Sequence, residues 1–343
     1  MTDAAVTAEL DEDSGSPSWT RWFTMVAIAI AIVAFGLTVW SVGPGQLVAQ
    51  LSAIGWGFAG VLAIEAVATS CDSAALSGFL GPGGRRPSYL YVLRAQIMGR
   101  AINAVTPLAS LGEAVKAASL MERTSSPRAI GAVIRYNLAS FGMRLAVIAI
   151  GAPLCALLLE VPAWLSYLFV IGGLVALLVI AAGVWLVSRG MLASGVALLR
   201  RVRFLARDRA DRWRGRAVQI DRHLRADRTC SLRARWAPAA WVVLARLLNL
   251  ASLWLVVLAA GTLIGPGTMA AVSTAGQLIN ALASLVPLGI GISEAGNAAL
   301  FSALDESPSL GVAMILGSRI STLAYAAIGL FLITTTAVLE SRR

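Results

Sequence analysis

Charge is what this sequence has least of. Only 13% of its 343 residues are Asp, Glu, Lys or Arg, about half the share of an ordinary globular chain. No charged residue occurs from Trp22 to Ile64, from Val161 to Ser188, from Leu247 to Ser293 or from Ile320 to Leu339. A helix that crosses a bilayer needs about 20 mostly apolar residues, and each of these runs can hold at least one. With 58% hydrophobic residues, the chain reads as an all-α polytopic membrane protein. A soluble fold is excluded.

The other scarcities remove chemistry. Cys71, Cys155 and Cys230 have no metal-type spacing, and two of them lie in apolar runs where thiols simply pack. A single histidine, His223, is too few for a zinc site, a haem pocket or a Ser–His hydrolase. No glycine-rich loop ending in Lys marks an ATP site. The expectation is therefore a protein without metal or cofactor, and not an enzyme. Residues 1–21 carry Asp3, Glu9, Asp11, Glu12 and Asp13 where a signal peptide would be basic, and are expected to form an acidic disordered tail.

Positive charge is present, but in one place. Between Arg189 and Arg235 stand fourteen arginines against four aspartates, which accounts for the whole formal charge of +10. Basic residues beside spans mark the cytoplasmic side and favour anionic lipid head groups. No recognition motif accompanies them, so nucleic acid is not an expected partner. With this loop (189–236) inside, the chain threads the cell's cytoplasmic membrane with both termini inside. The spans fall at about 22–42, 54–80, 129–152, 164–187, 237–263 and 310–339.

Two segments do not fit as spans. Tyr89–Met121 carries Arg94, Arg100, Glu113 and Lys116, and leaves only Ala101–Gly112 uncharged, too short to cross. Met269–Leu304 is broken by Pro287-Leu288-Gly289-Ile290-Gly291. Six spans already bring both tails to one side, so these two are read as re-entrant helical hairpins, where irregular backbone must be covered by protein or reached by water. Each half, 22–160 and 161–343, then reads span, span, hairpin, span, in opposite directions. The hairpins share a pattern. The first has Asn103-Ala104, Pro107 and Gly112-Glu113-Ala114, and the second Asn280-Ala281, Pro287, Gly291 and Glu294-Ala295. Inverted repeats with broken helices are the usual build of carriers.

On these residues the chain resembles the transmembrane region of lysylphosphatidylglycerol synthases, the flippase-like or UPF0104-type membrane proteins. Members carry an Asn, a Pro and a Gly-Glu-like step before a basic residue; here these are Asn103, Pro107, Gly112-Glu113 and Lys116. They also carry a C-terminal Pro–Gly–Gly–Glu-like run and a basic or aromatic position in the final span; here these are Pro287, Gly289, Gly291 and Glu294, then Arg319 and Tyr325. Leu108-Ala109-Ser110-Leu111 replaces the glycines that members often have after the first proline. The resemblance covers the chain from about Trp22 onward and implies lipid handling, with membrane lipids as partners. The synthases' soluble aminoacyltransferase domain does not follow in this sequence, so aminoacyl transfer is not expected.

Charges at membrane depth fit that idea. Glu65 and Asp72, seven apart, share one helix face. Arg135, Arg144, Arg246 and Arg319 lie in other spans, where they either pair with carboxylates or hold a lipid phosphate. Glu113 and Glu294 end the two broken segments, where freed backbone groups converge, and can serve a bound head group or simply cap a helix. Lys116, the sole lysine, stands three residues from Glu113 and can pair with it. The expected function is movement or binding of a polar-headed lipid, anionic or isoprenoid-linked, between leaflets. Two readings compete: a membrane transferase acting on a lipid-linked substrate, and a non-transporting scaffold for a separately encoded lipid-modifying enzyme.

Overall fold

The computed structural model describes residues 55–81, 86–105, 111–159, 161–189, 232–259, 264–283 and 292–341. Span one, residues 190–231 of the basic loop and the hairpin positions Pro107, Pro287, Gly289 and Gly291 lie outside the described residues, while residues 232–236, expected in that loop, are helical. Among the described residues the chain is all-helical: α1 (Gly57–Phe79), α2 (Tyr89–Val105), α3 (Leu111–Met121), α4 (Ser126–Leu158), α5 (Ala163–Arg189), α6 (Leu232–Ala259), α7 (Pro266–Ala283), α8 (Ile292–Ala303) and α9 (Pro308–Ser341). Five of these, α1, α4, α5, α6 and α9, are long and apolar enough to cross a membrane. Helices α2, α3, α7 and α8, the arms of the two expected hairpins, are not among them. The observed helices overrun the expected spans: α4 begins at Ser126 and α9 at Pro308. Both start on a Ser-Pro step, whose proline fits a first turn because that turn needs no amide donor.

Helices α1 and α6 run antiparallel in close contact. Gly78 lies under Pro238 and Gly60 faces Leu255, so small residues on α1 accept bulk from α6 at both ends. Helix α1 stops at Gly81, whose φ of +71° is open to glycine. Its last carbonyls are not left bare. Arg128 donates through Nε to Leu80 O and through Nη2 to Gly81 O, both at 2.6 Å, and Arg135 donates to Phe79 O. In a membrane such orphan carbonyls need partners from the protein.

The hairpin arms pack across the two halves. Helix α2 lies on α9 and α7 lies on α4. Gly329 admits Ala101 at the first crossing and Gly151 admits Thr274 at the second. The short arms α3 and α8 each rest on the span that follows, α4 and α9. Two apolar cores result. One joins α1, α2, α3, α4 and α6 around Leu76, Val92, Leu120 and Val242. The other joins α4, α5, α6, α7, α8 and α9 around Ala152, Phe169, Val257, Val272 and Phe301. Outside them, α5 exposes Tyr167, Ile171, Leu174 and Leu178, an apolar face suited to lipid.

From α3 into α4, and from α8 into α9, Glu113, Ala114 and Pro127 recur as Glu294, Ala295 and Pro308 at a constant offset of 181, and at the same offset Lys116 and Arg144 fall opposite Asn297 and Tyr325.

Candidate functional site

Helices α2 and α3, the arms of the first expected hairpin, are cross-braced by one asparagine. Asn103, near the end of α2, accepts the Gly112 amide at 2.8 Å and donates to Glu113 Oε1 at 2.9 Å. It therefore caps the N-terminus of α3 from another helix, and Glu113 stands in the first turn of α3, where a carboxylate is favoured. Lys116 Nζ reaches the same Oε1 at 2.8 Å, and Asn137 Nδ2 on α4 reaches Oε2 at 2.9 Å. Gly112 has no room for a side chain. A Cβ there would stand 2.0 Å from Gly99 O and 2.4 Å from Asn103 Oδ1. Lys116, 3% exposed, also lies 5.2 Å from the centre of the Tyr136 ring, a cation–π contact that suits a cation withdrawn from water.

Tyr136 links this group to a second one. Gln96 Nε2 donates to its hydroxyl at 3.0 Å, and Asp72 and Arg246 lie within electrostatic reach. One nitrogen of Arg246 bonds both Asp72 oxygens, at 2.6 and 2.7 Å, and so ties α6 to α1. Arg144, on α4 two turns beyond Tyr136, has Arg246, Tyr136, Asp72 and Glu113 as its charged and polar neighbours. Seven residues before Asp72, Glu65 pairs with Arg100 of α2 at 2.6 Å, and Arg100 also donates to Thr69 Oγ1 at 2.6 Å. Tyr325 of α9 lies beneath that guanidinium at 4.7 Å and donates its hydroxyl to Leu62 O at 2.5 Å. The shared face of α1 thus sends its two carboxylates to arginines on two different helices.

The second hairpin places Glu294 in the first turn of α8 and pairs it with Arg319 of α9. At the position that matches Lys116, the buried Asn297 turns back on its own helix, donating to Ser293 O at 2.8 Å. Asn280, near the end of α7, is exposed.

The expected residues thus fall into distinct groups. Asn103, Gly112, Glu113 and Lys116 form one cluster, with Arg144 and Arg246 in its electrostatic neighbourhood. Glu294 and Arg319 form another, and Arg135 serves the end of α1. Asn137, Tyr136, Gln96 and Thr69 were not anticipated. The signal for them was a polar side chain interrupting an apolar run, which in a span usually faces the protein interior. Among the described residues no three His, Cys, Asp or Glu side chains are grouped to hold a metal ion.

Carboxylates, amides and basic side chains paired inside a bundle of membrane-crossing helices define a polytopic membrane protein with a polar interior. A family profile described as the lysylphosphatidylglycerol synthase TM region matches residues 24–329. The chain belongs to that family, and membership points to a membrane protein involved in lipid handling. No curated protein and no solved structure matches it significantly.

Proposed function

We propose that this chain moves a polar-headed lipid between the leaflets of the cytoplasmic membrane, through a site shared by two re-entrant hairpins. The observation that carries the reading is the paired placement of Glu113 and Glu294. Each stands in the first turn of a short helix, each meets a cation, and the longer helix before each packs on the last span of the other half. That exchange of contacts is what an inverted repeat produces, and broken helices facing each other across it are where carriers bind their cargo. Six spans, with the segment at 22–42 as the first, put both termini and the arginine-rich loop on the cytoplasmic side.

Two measurements test this. Reconstituted in liposomes with a tail-labelled phospholipid, the protein should speed transfer from the inner to the outer leaflet relative to protein-free vesicles; equal rates defeat the reading. Ser341→Cys in a background free of Cys71, Cys155 and Cys230 should resist an impermeant thiol reagent applied to intact cells. Labelling there would overturn the six-span topology.

A further inference from the structure

The acids of the interior are already occupied. Glu113 accepts from Asn103 and Lys116 on one oxygen and from Asn137 on the other. Both oxygens of Asp72 are held by Arg246. Glu65 and Glu294 are bound to Arg100 and Arg319. A cationic head group entering here would have to break an existing pair, and would leave the displaced lysine or arginine without its partner inside the bundle.

The cations are not all occupied. Around Tyr136 stand Lys116, Arg144 and Arg246 against Glu113 and Asp72, which leaves one positive charge in excess. Among the described residues Arg144 makes no hydrogen bond or ion pair, and its foremost charged neighbour is Arg246, of like sign. The Arg144 side chain is exposed, so an incoming ligand can reach it. Beside it the buried Nε of Arg246 has no acceptor. An arginine at membrane depth, repelled by a second arginine that holds an unused donor, is stabilised by an anion that both can contact. The guanidinium fork fits the two oxygens of a phosphate.

We infer that Arg144, backed by Arg246, holds the phosphate of an anionic phospholipid, and that the lipid is selected by negative charge rather than by an amine. The inference rests on the reading that this interior receives a lipid. It also assigns the carboxylates a structural task, which is to keep Lys116 and Arg246 in place.

Equilibrium binding to the purified full-length chain in detergent tests it without requiring transport. The probes are phosphatidylglycerol, its lysyl ester, phosphatidylcholine and inorganic phosphate. Phosphatidylglycerol should bind more tightly than the lysyl ester or phosphatidylcholine. Arg144→Gln should weaken it about tenfold or more, as expected for loss of a charge-assisted pair. Arg144→Lys, which keeps the charge and the fold but removes the fork, should fall between. Arg86→Gln, on the exposed turn before α2, should bind as the parent does. Tighter binding of the lysyl ester, or unchanged binding in Arg144→Gln and Arg144→Lys, would overturn the inference. If inorganic phosphate alone binds as tightly as phosphatidylglycerol, the anion is free phosphate and the assignment to a lipid falls. Binding through Arg144 without leaflet transfer would remove only the transport reading; transfer that ignores Arg144 would remove only this one.

Discussion

In the first hairpin Glu113 is neutralised by Lys116 one turn along its own helix, and in the second Glu294 reaches across to Arg319 on the following span. The carboxylate keeps its place at an offset of 181 while the cation moves. The arms also close differently. The first pair meets at Gly112 against Gly99, and the second at Gly296 against Ile279, about a turn further along the short arm. Asn103 then ties the first hairpin arm to arm, whereas the second is braced by charge to α9. What the two halves share is an acid at a helix start; its partners are local solutions to neutralising that acid in a membrane.

The largest way to break this comparison is to remove the cations. Lys116→Met leaves Glu113 without a charge partner, and since that carboxylate is 24% exposed and keeps Asn103 and Asn137 the loss should fall at about 3 kcal/mol, the low end for a buried pair. Arg319→Met leaves Glu294 about as exposed as Glu113, at 22% against 24%, and should cost less only by the tighter packing and the Tyr136 ring contact that Lys116 gives up. Thermal unfolding in detergent ranks the two, and equal losses would mean that this packing and ring contact add nothing. Next comes the arm contact. Gly112→Ala forces a methyl onto Gly99 O and should cost about 1–3 kcal/mol by overpacking. Ser293→Ala, at the matching position of the second hairpin, should change the midpoint little. The smallest expected effect is that of Asn297→Ala. It removes one bond to Ser293 O together with a buried Oδ1 that has no partner, and should shift stability by about 1 kcal/mol or less.

How far the sequence revealed this depends on the range of each interaction. Long, mostly apolar runs marked the five described helices that are able to cross a membrane, because a bilayer tolerates little charge over a fixed length, and Glu113 with Lys116 was legible because three residues make about one helical turn. Asp72 and Glu65 were readable as one face of α1, but not their partners. Arg246 stands 174 residues from Asp72 in the chain, and only packing of α6 on α1 brings them together. Arg135 looked like a candidate for a ligand because it is charged inside a span, yet its guanidinium closes the end of α1. Asn137 escaped notice because a neutral amide in an apolar run carries no periodic signal.

The central claim is that the two hairpin carboxylates serve one lipid-moving site, and leaflet-resolved transfer in proteoliposomes tests it most directly. Glu113→Ala and Glu294→Ala should each abolish transfer, with both variants still folded and inserted, because each loosens a cation that shapes the interior. Glu→Gln at the same positions separates charge from hydrogen bonding, since the amide keeps the size and one acceptor oxygen. Full transfer by both alanine variants at normal expression would contradict the account and move the site away from the hairpins.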